Sequence, residues 1–138
     1  MKRNWNLIRD ILIELEELYP SLDSTGDSEE FIKFVSEKSM PNYNPSDVSS
    51  HIKLLIEAGL IEGHCRNMAT LYLSDYSQKQ PVNYRCYGLC LTWAGYEFLD
   101  TIRDAQVWNK TVKAIKTGTK LFTVEAIKQI ATSIIGGV

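Results

Sequence analysis

Apolar residues recur at helical spacing from the start of the chain. Leu7, Ile8, Ile11, Leu12, Leu15 and Leu18 form one stripe, with Arg9, Asp10, Glu14, Glu16 and Glu17 mostly off it. This pattern predicts a helix from about Asn4 to Leu18. Tyr19–Pro20 and the polar run SLDSTGD then interrupt it. A second helix is predicted from Asp27 to about Lys38, with Glu30 completing a variant capping box and Phe31, Ile32, Phe34 and Val35 as its apolar residues. The connection SMPNYN leads to NPSDVSSHIKLLIEAGLIE, residues 44–62, around which the rest of the chain is arranged. Asn44 suits a helix N-cap and Pro45 the first helical position, where an N–H would have no partner anyway. Val48, Ile52, Leu55 and Ile56 follow at helical spacing, and Tyr43 with Val48 fits a hydrophobic staple. The helix is expected to span Asn44 to Ala58 and to stop at Gly59 in a positive-φ turn, with Leu60 folding back onto Leu55.

After Glu62 the period changes. Gly63 to Leu73 and Asn83 to Leu91 carry alternating, β-branched and aromatic residues around the turn-rich SDYSQKQPVN, which predicts a long β-hairpin. Thr92 then caps a helix, WAGYEFLDTIRD, with Gly95 in its first turn where another backbone comes close. Two more helices are predicted, one from about Ala105 to Lys116 and one beginning after Thr123, joined by a turn at TGTKLF. The sum is an α+β, mostly helical fold: a winged helix-turn-helix with a β-hairpin wing and two extra C-terminal helices. Residues 1–104 form the winged-helix core, and residues 105–138 form a helical extension packed on it as one compact domain. Val48, Ile52, Leu55, Leu60, Leu91, Phe98 and Leu99 are expected to share one core with Ile8, Ile11 and Leu15.

Composition narrows the chemistry. With 138 residues the chain suits one domain. No apolar run approaches the roughly 20 residues of a membrane span, and MKRNWNLIRD lacks the apolar core of a signal peptide. A cytoplasmic protein with reduced thiols and no membrane partner is expected. Cys65, Cys86 and Cys90, with His64, contain no C-x-x-C pair, so they read as small hydrophobes and no metal is expected. There are only two histidines, and no Gly-rich phosphate loop, nucleophile elbow or HExxH occurs. Neither an enzyme, nor catalytic residues, nor a cofactor is therefore expected. The formal net charge of −2 and pI near 5.7 also lack the overall basic signature of a dedicated nucleic-acid binder.

Four blocks in order, MKRNWNLIRDIL, HIKLLIEAGLIEG, LTWAGYEFLDTIRD and VWNKT, resemble the domain-of-unknown-function family numbered 2513. The resemblance covers nearly the whole chain. It implies a winged helix-turn-helix core and small proteins of bacteria, phages and prophages, with no catalytic residues to carry over.

Two partner classes follow. As a double-stranded-DNA reader, a phage or prophage transcriptional regulator, the chain would present Ser46, Ser49, Ser50 and Lys53 from the central helix, with Asn44 and His51 beside them. The wing would add Arg66, Asn67, Lys79, Gln80 and Arg85. Asp47 and Glu57 flank that face and oppose phosphate. The alternative is a non-enzymatic protein-interaction module, such as a phage protein that binds and inhibits a host protein. Its surface would be the last helix, where Val124, Ile127, Ile130 and Ile134 either close the core or pair two protomers as a homodimer. Lys110, Lys113, Lys116 and Lys120 follow at spacings of three and four, so at least the first three share a helix face; they read as a solvated surface, with a DNA backbone or an acidic protein as the alternative contact.

Overall fold

The structure, a computed structural model, describes residues 2–18, 40–67, 84–118 and 121–137. The expected second helix, the wing tip and Lys79, Gln80 and Lys120 lie outside the described residues. Helix α1 spans Trp5–Leu18, and Asn4 caps it by accepting the Leu7 N–H at 3.1 Å. Leu7, Ile8, Ile11, Leu12 and Leu15 are all buried, so the stripe read from the sequence is the face that packs. Helix α2 spans Pro45–Glu57 and opens with the Asn44 side chain accepting the Ser46 N–H. Its C-terminus is a complete Schellman turn. Gly59, at φ 78°, donates to the Ile56 carbonyl, and Leu60 donates to Leu55, both at 3.0 Å.

The turn leads directly into strand β1, Ile61–Asn67, which pairs antiparallel with β2, Tyr84–Leu91. Ile61 faces Leu91 and Glu62 faces Cys90. An irregularity between Glu62 and His64 then shifts the ladder, which continues from His64↔Tyr87 to Asn67↔Tyr84. Helix α3 follows at Trp93–Ile102, α4 at Ala105–Thr117 and α5 at Val124–Ile135. Asp104 caps α4 by accepting the Gln106 and Val107 N–H groups, and Thr123 caps α5 through Ala126.

The helix stop and the next helix start form one joint. The Thr92 hydroxyl accepts the Gly95 N–H at 3.0 Å and donates to the Gly59 carbonyl at 2.6 Å. The Thr92 N–H donates to the Leu60 carbonyl at 3.1 Å. A Cβ on Gly95 would lie 2.0 Å from that same carbonyl oxygen. The AGL and LTxxG signals of the sequence are therefore two halves of one contact.

All ten expected core residues are buried in one cluster. Trp108, Ile115, Ile127 and Ala131 belong to it too, so α4 and α5 close the same core. Helix α1 is tied to the end of α3 by Arg9, whose guanidinium donates to the Ile102 carbonyl at 2.8 Å and the Arg103 carbonyl at 2.6 Å. These are the unpaired acceptors that a cation at a helix C-terminus serves. Arg103 in turn binds Glu16 and lies 2.9 Å from Asp100.

Tyr43 joins the connection before α2 to α1, its hydroxyl donating to Asp10 at 2.8 Å. Partial burial, then this hydrogen bond to a carboxylate, push the phenol up to about 12 from an ordinary 10.0. The unfolded chain releases the proton at the lower pH and the folded chain at the higher. The Tyr43 contribution is thus complete below pH 10 and is lost as pH rises towards 12. Tyr43→Phe is expected to cost about 0.5–1.5 kcal/mol near neutrality. Urea denaturation should show that cost shrinking between pH 10 and 12; a constant difference would contradict the assignment.

Candidate nucleic-acid interface

Helix α2 packs against α1, β1 and β2 together, so its buried arc is wide. Ser49 and His51 are each only 2% exposed, which removes both from any reading face. The Ser49 hydroxyl donates to the Ser46 carbonyl at 3.1 Å, satisfying itself within the helix. His51 links two elements. The Asn4 N–H, which can only donate, meets Nε2 at 2.8 Å, and Nδ1 lies 2.7 Å from the Asp47 carbonyl. Those partners require Nδ1 to carry the proton and Nε2 to accept. The expectation that Ser49 and His51 face DNA is corrected accordingly: both face inward.

What remains open on α2 is a strip at positions i, i+4 and i+7. Ser46 and Ser50 are half-buried, and the Lys53 side chain is 43% exposed. Lys53 Nζ lies 3.4 Å from Glu57 Oε1 one turn on, and Asp47 and Glu57 are exposed. The strip therefore offers two hydroxyls and one cation partly offset by a carboxylate, a surface that can hydrogen-bond but holds anions weakly by itself.

The hairpin adds what the helix lacks. Register places Arg66 directly opposite Arg85, one residue beyond the opposed pair Cys65↔Cys86. The sequence named both arginines, but only the register shows that they share one rung. Cys90 is set opposite Glu62, not near Cys65, and its thiol donates to the Glu62 carboxylate at 3.8 Å. Burial first, then the negative charge of Glu62, push that thiol up, away from a reactive thiolate. Among the described residues no group of three or more His, Cys, Asp or Glu side chains is placed to hold a metal ion.

The apolar stripe of α5 is largely spent inside the molecule. Ile127 is fully buried, and Val124 and Ile130 pack against the core. Ile127 is thus corrected from an interface residue to a core residue. Ile134 is half-buried, and Ile135 beside it is exposed. Lys110, Lys113 and Lys116 are all exposed on α4. No helix among the described residues is long and apolar enough to cross a membrane.

A protein of Haemophilus influenzae (strain ATCC 51907 / DSM 11121 / KW20 / Rd), carrying the name "Uncharacterized protein", is 40% identical over 138 residues. The match covers 98% of this chain and 96% of that one. No solved structure matches the chain. The family described as "Hypothetical protein (DUF2513)" matches residues 2–120, which takes in α1, α2, both strands, α3 and α4, and the chain belongs to that family.

Proposed function

We propose that the chain is a winged-helix protein that binds double-stranded DNA, a transcriptional regulator of the phage or prophage kind. Helix α2 is its recognition helix and the β1–β2 hairpin its wing. The observation that carries this reading is the rung Arg66↔Arg85, two cations at one level of the hairpin that leads out of α2. A phosphate group bound at that level of the hairpin anchors the wing. Ser46, Ser50 and Lys53 on the open strip of α2 are then the side chains that reach the groove. The test is a binding titration on mixed duplex DNA with Arg66→Ala, Arg85→Ala and Lys53→Glu. Each is expected to weaken binding to every sequence, and each arginine removed should make the slope of log affinity on log salt shallower by about 1. Ser50→Ala should relax preference at particular base pairs and leave that slope unchanged.

The second reading, a protein-interaction module such as an inhibitor of a host protein, is favoured by a different observation. Asp47 and Glu57 stand exposed on α2, Lys53 leans on Glu57, and Trp93 at the start of α3 is 80% exposed. Exposed carboxylates on α2 and an exposed tryptophan on α3 suit a protein partner better than phosphate. On this reading Lys53→Glu leaves duplex DNA unaffected, because none binds.

A further inference from the structure

On the side where the N-terminal residues meet α4, a cleft of about 440 Å³ opens beside Trp5, Trp108 and Phe122. Its size falls among small-ligand pockets, which run from about 300 to 1,000 Å³. Trp5 and Phe122 stack with ring centroids 6.3 Å apart and planes 21° apart, and Trp108 is buried below. Among the described residues, the charged ones that line it are Lys2, Arg3 and Lys116, with no carboxylate. A chain of net charge −2 thus gathers three cations around one aromatic cleft. The Arg3 guanidinium lies 5.2 Å from the centre of the Trp5 ring, and it donates to the Phe122 carbonyl only at 3.5 Å. A planar group thus already lies over the Trp5 ring, carried by an exposed side chain.

We infer that this cleft binds a nucleotide, with the base replacing the Arg3 guanidinium on Trp5 and the phosphate held by Lys2, Arg3 and Lys116. Base stacking on an aromatic ring and a phosphate among cations are complementary to what the cleft presents. The nucleotide can be free or unpaired within a single strand. Duplex DNA offers no unstacked base, so this site and the α2–wing surface stand or fall separately.

The chain's three tryptophans make the test direct. Trp5 and Trp108 line the cleft, and Trp93 is solvent-exposed on α3. In the full chain carrying Trp93→Phe, emission excited near 295 nm reports the cleft. AMP, sodium phosphate and a six-residue single-stranded oligodeoxyadenylate are the probes. Saturable quenching by AMP, absent with phosphate, is expected, and Arg3→Glu and Lys116→Glu should each weaken it about tenfold. Quenching by the oligonucleotide alone, with the same dependence on Arg3 and Lys116, assigns the site to single strands. Both substitutions are at exposed positions, and circular dichroism checks that each variant is folded. No quenching by either nucleotide probe, or quenching equal in folded Lys116→Glu, overturns the inference.

Discussion

Gly95→Ala is expected to cost about 3 kcal/mol or more of folding stability. The added Cβ would sit 2.0 Å from the Leu60 carbonyl oxygen and 3.1 Å from its carbon. Both are backbone atoms, fixed by the Schellman turn on one side and by the Thr92 N–H on the other. No flexible side chain can move aside, so α3 must shift away from the end of α2. That shift stretches the Thr92 bonds to Gly59 and Gly95 and loosens Phe98 and Leu99, which are fully buried. Overpacking against movable side chains costs 1–3 kcal/mol, and a rigid backbone obstacle belongs at or beyond the top of that range. The melting temperature should fall by about 10 °C for a chain of this size. A denaturation midpoint equal to that of the unsubstituted chain would show that the joint is not closed as described.

Gly59→Val is expected to cost about 1–3 kcal/mol for a different reason. No atom of the described residues lies within 4 Å of a Cβ built at Gly59, so space is not the constraint. The backbone is: at φ 78° a β-branched side chain crowds its own peptide groups. Leaving that conformation breaks the two turn hydrogen bonds from Gly59 and Leu60 and misdirects β1. Gly59→Asn, which tolerates the left-handed region, should cost less than about 1 kcal/mol. Equal midpoints for the valine and asparagine variants would mean that backbone conformation is not what the glycine supplies. The two glycines thus separate conformational from steric need within one joint.

Local chemistry explains what the sequence made legible. The ends of α2 depend on Asn44, Pro45 and Gly59, each acting within a few residues of itself, and they stand where those residues predict. The same holds for Thr92 and Thr123 at the starts of α3 and α5. The ten core residues follow from periodicity and, for Leu60, from the glycine stop, and all are buried. The exposed face of α2 did not follow, because periodicity marks the apolar stripe and not the width of what covers it. Val48, Ile52 and Leu55 imply a narrow seam. Packing against α1 and both strands widens it to take in Ser49 and His51, a buried arc of roughly 160° at 3.6 residues per turn. Two polar residues enter that arc because each finds a hydrogen-bond partner there.

The Arg66↔Arg85 rung was hidden for another reason. Cross-strand partners depend on loop length and on the irregularity after Glu62, and a one-residue slip changes every pairing beyond it. The stripe of α5 could equally have been an interface or a lid on the core. Only the placement of Ile127 and Ala131 against the same cluster as α3 and α4 decides for the core. The aromatic cleft draws on both ends of the chain, from Lys2 to Phe122, and no local pattern joins them.

The claim that α2 and the wing bind duplex DNA is tested most directly by fluorescence anisotropy. The intact chain is titrated into a labelled mixed-sequence duplex at about 50 mM and about 150 mM salt. Lys53, Arg66, Arg85 and a few further cations can neutralise only a handful of phosphates. Binding should therefore be detectable at the lower salt, with a log–log slope of about −3 to −5 per protomer. It should be weakened in the Lys53→Glu chain. No binding at about 50 mM salt, or binding that Lys53→Glu, Arg66→Ala and Arg85→Ala all leave unchanged, would contradict the account.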